Sequence, residues 1–408
     1  MIGSAPRVAT GLDRLVDEGF DRLRGRKVGL IANQSTVDRR LRHAIDLFHG
    51  ASGVELVRLF GPEHGLRGEV QDMEGVGSET DSRTGLPIVS LYGATPDTLK
   101  PRAEDLDGLD CLIFDLQDVG SRYYTFAATM FYAMETASSV GCSFLVLDRP
   151  NPLGGIGVEG PSIQDGFESF VGAYPMPIRH GMTVAELARL FQEERQLDLN
   201  LDIVTCSGWT REMLWPETGL SWVPPSPNMP TFDTALVYPG GCLIEGTNLS
   251  EGRGTTRPFE NWGAPWMEGA SSRMVETLND LPGVLLRPNV FRPVFHKHAG
   301  MTCFGVQPHV VDPQEFSALK TYVLMLVLGV RDDPERFAWR TEPYEFIDAP
   351  IAIDLLFGSS EERLRIEAAA QEQPFDLKGW IEDLSERWRR DEQAFQERRT
   401  PNLIYPLS

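Results

Sequence analysis

The chain has 408 residues, 41% of them hydrophobic and 24% charged, which is too long for one core and reads as a globular protein of two domains. Its formal net charge of −21 repels nucleic acid and anionic membranes, and no Lys/Arg-rich stripe offsets it. No stretch reaches the roughly 18 consecutive apolar residues of a membrane span.

The opening "MIGSAPRVATGLDRL" has no positive region followed by an apolar one, so no signal peptide is read there. Five cysteines (Cys111, Cys142, Cys206, Cys242, Cys303) are scattered and share no CxxC spacing. This fits reduced thiols, and the cytoplasm is the expected compartment. From residue 27 onward, short apolar runs alternate with helical patterns. "KVGLIAN" (27–33), "VELVRLF" (54–60), "DCLIFDL" (110–116), "SFLVLD" (143–148) and "LDIVTC" (201–206) read as buried parallel strands. Between them Leu41, Ala44, Ile45 and Phe48 fall at helical spacing, and residues 125–139 are apolar nearly all round. Thr183 and Glu186 occupy the positions of a capping box. The alternation predicts an α/β fold with an open, doubly wound, mostly parallel sheet.

Further on, "WVPPSPNMPTFDT" (222–234) reads as a rigid connector. It sets an expected boundary between residues 1–230 and a smaller α+β unit, 231–408. "YPGGCLIEGTNLSEGRGTTRPFENWGAPW" reads as a long, functional loop. Strand-like pieces follow around 284–311, then an apolar helix (316–329) and a long C-terminal helix.

Polar residues collect where the first-half strands end: Asn33, then Glu63 and His64 in "GPEHG", then Asp115 and Asp118, then Arg149 and Asn151. Carboxyl ends of parallel strands line the crevice where ligands bind, so the four sets together read as one site. Other motifs are weaker. "GIGVEG" (155–160) matches a dinucleotide pattern but follows a turn and precedes Pro161, so no cofactor is expected. His296 and His298 are spaced to point the same way on a strand but have no third ligand, so no metal is expected.

The motifs "FGPEHGLRG", "DLQDVGSRYYTF", "LDRPNPLGG", "RHGMTVAELA", "PPSPNMPTFDTALVYPG", "EGTNLSEGRGTT" and "FRPVFHKHAG" resemble those of the bacterial exo-β-N-acetylmuramidases. The resemblance runs from about residue 27 to the C-terminal helix. It implies release of terminal β-1,4-linked N-acetylmuramic acid from the non-reducing end of peptidoglycan fragments. It also implies a Rossmann-like N-terminal domain, a smaller C-terminal domain that covers an active cleft between them, and a catalytic role for the glutamate of "GPEHG", here Glu63.

Breaking a glycosidic bond needs an acid for the leaving oxygen and a group to handle the oxocarbenium-like carbon. Glu63 is the expected acid, and His64 orients it or binds substrate. Asp118 or Asp115, or the substrate's own acetamido group, fills the second role. Tyr123 and Tyr124 are candidates to face a sugar ring. Arg122, Arg253 and Arg149 are candidates for the lactyl carboxylate. Asn33, Asn151, Glu245, Asn248, Glu251, His296 and His298 complete the substrate-binding candidates. The rival readings are a non-catalytic amino-sugar-binding protein and a peptidoglycan amidase. Oligomeric state is not legible.

Overall fold

A computed structural model describes residues 8–68 and 79–407. The predicted strands form β1 (Lys27–Ile31), β2 (Glu55–Gly61), β5 (Cys111–Phe114), β6 (Ser143–Leu147) and β7 (Leu201–Val204). Two short strands, β3 (Glu79–Thr80) and β4 (Pro87–Ser90), add an edge that sequence reading did not find. Four residues starting with proline carry too little pattern to read as a strand. The sheet has seven strands in the order β3-β4-β2-β1-β5-β6-β7. Only the β3–β4 pair is antiparallel.

Neighbouring residues of each central strand enter different cores, as a sheet covered on both faces requires. Leu30, Ile113 and Leu145 pack with Leu12, Leu15, Ile45 and Phe48 on one face. Ile31, Leu112, Phe114 and Phe144 pack on the other, against helices Phe126–Val140 and Val184–Arg195. The second of these helices starts at the predicted capping box, Thr183 with Glu186. The core on this face continues into the C-terminal half.

That half holds a three-stranded antiparallel sheet of β8 (Trp262–Ala264), β9 (Val284–Phe291) and β10 (Cys303–Val310), with β10 central. The predicted apolar helix spans Ala318–Asp332, and the C-terminal helix spans Leu377–Arg399. The long loop expected from Tyr238 is shorter than predicted. Its first part ends helix Phe232–Gly241, and a 3-10 turn, Cys242–Gly246, follows. The glycines mark a close helix approach instead of a loop: a Cβ on Gly240 would lie 2.2 Å from the Ala318 carbonyl oxygen.

Candidate active site

β2 leads directly into the turn Gly61-Pro62-Glu63-His64-Gly65. The turn is closed by a bond from the Gly65 amide to the Pro62 carbonyl, 2.9 Å. Gly65 has φ 78°, and His64 shares that left-handed region at φ 71°. Glycine adopts this conformation readily; an imidazole does so at a cost and concentrates at functional sites. The result is a carboxylate presented at the sheet's carboxyl edge with its neighbour turned back. Glu63 is buried, and its Oε2 accepts a 2.6 Å bond from the Thr125 hydroxyl just before helix Phe126–Val140.

Glu63 and His64 line a narrow cavity of about 40 Å³ between this edge and the C-terminal half. Six of the sequence candidates meet there: Glu63, His64, Tyr123, Tyr124, Glu245 and Arg253. Tyr123 and Tyr124 each meet Tyr238 edge-on at 5.7 Å, and Tyr238 meets Phe259 at 4.8 Å. Burial raises the phenol pKa of all three tyrosines, so they act as neutral hydroxyls and rings. The Tyr123 hydroxyl donates to the Pro239 carbonyl. Arg253 stacks its guanidinium 5.0 Å over Phe259 and donates to Glu245 Oε1 at 2.6 Å. Tyr344 donates to the other oxygen of Glu245 at 2.6 Å.

Glu345 also lines the cavity, and sequence reading missed it. Its carboxylate accepts from the Tyr92 hydroxyl at 2.9 Å. Glu345 and Phe346 are consecutive non-glycine residues at φ 48° and 66°. "EPYEFID" holds no glycine to announce such a turn, so nothing in the sequence pointed to it.

The remaining candidates sit elsewhere, and each position has a physical reason. Arg122 does not face the cavity. It is buried, and its guanidinium donates to the carbonyls of Pro161 and Met176, both at 2.8 Å, and to that of Leu356 at 2.5 Å. Desolvation pulls its pKa down to about 10, still charged at neutral pH. Asp118 is likewise off the cavity: it accepts from the Gly120 amide at 2.5 Å and lies 3.4 Å from His180 Nε2. Asp115 is buried against Arg149 Nε at 2.6 Å, and burial raises its pKa despite that partner. Arg149 edges a separate, smaller depression.

Asn33 and Asn151 fasten loops, donating to the Pro225 and Met182 carbonyls, each at 3.0 Å. Asn248 is tied to the Arg336–Ala338 backbone. His296 and His298 occupy a turn with φ 66° and 57°, not a strand. Their ring nitrogens lie 2.9 Å from Glu251 and 2.8 Å from the Asn248 carbonyl. Burial pushes the Glu251 pKa up, but Lys297, His296 and Arg253 together hold it far below the usual carboxylate range. Glu251 is thus an ionised anchor behind Arg253.

Family models for the N-terminal and C-terminal parts of exo-β-N-acetylmuramidase NamZ match residues 28–233 and 236–405. The chain belongs to this family. Across 98% of its length and 92% of the relative's, it is 43% identical to the peptidoglycan β-N-acetylmuramidase NamZ of Bacillus subtilis (strain 168). Two crystal structures of DUF1343 family proteins from Bacteroides fragilis share the fold. One has a TM-score of 0.87 at 35% identity and covers 99% of this chain and 100% of that one. The other has a TM-score of 0.72 at 27% identity, covering 98% and 99%. The exo-β-N-acetylmuramidase family is the one whose motifs the sequence resembled, and its matched range spans both walls of the Glu63 cavity. Among the described residues, no helix is long and apolar enough to cross a membrane.

Proposed function

We propose that the chain is an exo-acting glycoside hydrolase. It releases terminal β-1,4-linked N-acetylmuramic acid from the non-reducing end of peptidoglycan fragments. The observation that carries the reading is Glu63, held by Thr125 on an aromatic-lined cavity, in a chain of this family. In this reading residues 1–230 supply the acid, and residues 231–408 supply the cover and the carboxylate-reading arginine. The cytoplasm is the proposed compartment, supported by five buried cysteines with free thiols.

Glu63 protonates the glycosidic oxygen as the bond breaks. The Thr125 hydroxyl donates to Oε2, which leaves Oε1 to carry the proton. Glu345, the carboxylate held by Tyr92, takes the role at the anomeric side for which the sequence offered Asp118, Asp115 or the substrate's own acetamido group. Arg253 reads the lactyl carboxylate through its planar fork, and the Phe259 ring beneath the guanidinium fixes the fork's plane.

The test is hydrolysis of a chromogenic β-N-acetylmuraminide beside the matching glucosaminide. Preferential release from the muraminide supports the reading. Equal rates would mean that the lactyl group is not read, and binding without turnover would return the choice to the sugar-binding alternative.

A further inference from the structure

The small sheet carries a second, open cleft of about 850 Å³, far larger than the cavity at Glu63. Residues 287, 289 and 291 alternate onto one face of β9, and all three line the cleft. Arg257, Arg287 and Arg292 line it as well, and none of its described lining residues is a carboxylate. In a chain with 59 acidic and 38 basic residues, that is a local reversal of sign. Arg257 is partly neutralised by Glu260 at 3.0 Å. Arg287 instead donates to His309 at 3.1 Å and to Gln307, and Arg292 donates to the Thr302 hydroxyl at 2.9 Å. None of those partners is a carboxylate, so they orient the two guanidiniums and leave their charge for a ligand. Beside them Val294 is 79% and Phe295 38% exposed, an apolar surface suited to a sugar face.

One segment contributes to both the cleft and the Glu63 cavity. Arg253 faces the cavity, and the next residue, Gly254, begins the cleft wall. Gly254 is pinned there at φ 78°, its carbonyl accepting from the Val294 amide at 2.9 Å.

We propose that this cleft holds the departing part of the glycan, with Arg287 and Arg292 engaging the carboxylate of the next N-acetylmuramic acid along the chain. The inference rests on the muramidase reading and extends it from the terminal sugar to the rest of the substrate. It needs an anionic, partly apolar, repeating ligand that starts at Arg253 and runs outward. A glycan with a lactyl carboxylate on every second sugar has that form.

The experiment compares two saccharides ending in N-acetylmuramic acid. In the disaccharide the departing part is one N-acetylglucosamine without a carboxylate. In the tetrasaccharide it is three sugars with one. The native protein should show a higher kcat/KM on the tetrasaccharide, and raised salt should erode that advantage. In Arg287→Ala/Arg292→Ala the advantage should shrink roughly three- to tenfold, the worth of two exposed charge pairs. The disaccharide rate should stay within about twofold by the same reasoning, and the double lysine variant should recover part of the advantage. If the double alanine variant keeps the native ratio, or loses both substrates equally, the inference is overturned. Native protein inactive on both saccharides would instead sink the muramidase reading, and the inference with it.

Discussion

At the scale of single residues, the proposed reaction depends on Glu63 and Arg253. Glu63→Gln keeps the bond from Thr125 but cannot deliver a proton. General acid catalysis contributes ~10²–10⁴-fold, so kcat on an unactivated saccharide should fall by at least that much. A variant retaining more than about a tenth of the native rate would mean another group is the acid. Arg253 is held by Glu245 at 2.6 Å and lies 3.6 Å from Glu251, so it is pre-aimed and its removal is specific. Arg253→Ala should cost ~2–5 kcal/mol in kcat/KM for a muraminide and little for a glucosaminide. Lys297 still neutralises Glu251 in that variant, at 2.9 Å, which protects the fold. An unchanged ratio of the two substrates would move recognition of the lactyl group elsewhere.

At the scale of elements, the polar strand ends divide into a set that lines the Glu63 cavity and a set that braces loops. The sequence located them all, because parallel strands in apolar runs leave their polar residues at one edge. It did not separate the two sets, because that depends on partners far away in the chain. Arg122 is the clearest case: its three carbonyl acceptors come from Pro161, Met176 and Leu356, so it joins the two halves. Arg122→Ala should therefore lower stability by ~3 kcal/mol or more in chemical denaturation, with a buried network broken. The muraminide-to-glucosaminide ratio should not move, and a changed ratio would restore Arg122 to the site. Glu345 was illegible for the opposite reason. Its position follows from a left-handed turn in a segment without glycine, which local sequence does not encode. The helix at Phe232–Gly241 was partly hidden because "YPGG" reads as a break, whereas its glycine permits contact with Ala318.

At the scale of the whole molecule, the chain after the last long helix returns to the first sheet. Tyr405 donates to Asp148 Oδ2 at 2.6 Å, and its oxygen accepts from the Cys206 amide at 2.7 Å. Burial raises the Asp148 pKa from 3.8 to about 7, even though bonds from Tyr405, Ala185 and Thr183 oppose the shift. A carboxyl group raised on folding binds more protons in the folded state, so its contribution is fully present below about pH 4. That contribution is lost as pH rises toward 7. The slope of unfolding free energy against pH over that window should be less negative in Asp148→Asn than in the native protein; parallel slopes would place the proton elsewhere. The fold, the family and the cavity meet in one claim: a single sugar is removed from one end of a glycan. The direct test is product analysis of the tetrasaccharide labelled at its reducing end. An exo-acting muramidase gives free N-acetylmuramic acid and a labelled trisaccharide that accumulates, since its new end is N-acetylglucosamine. A labelled disaccharide as first product, or an intact tetrasaccharide, would contradict it.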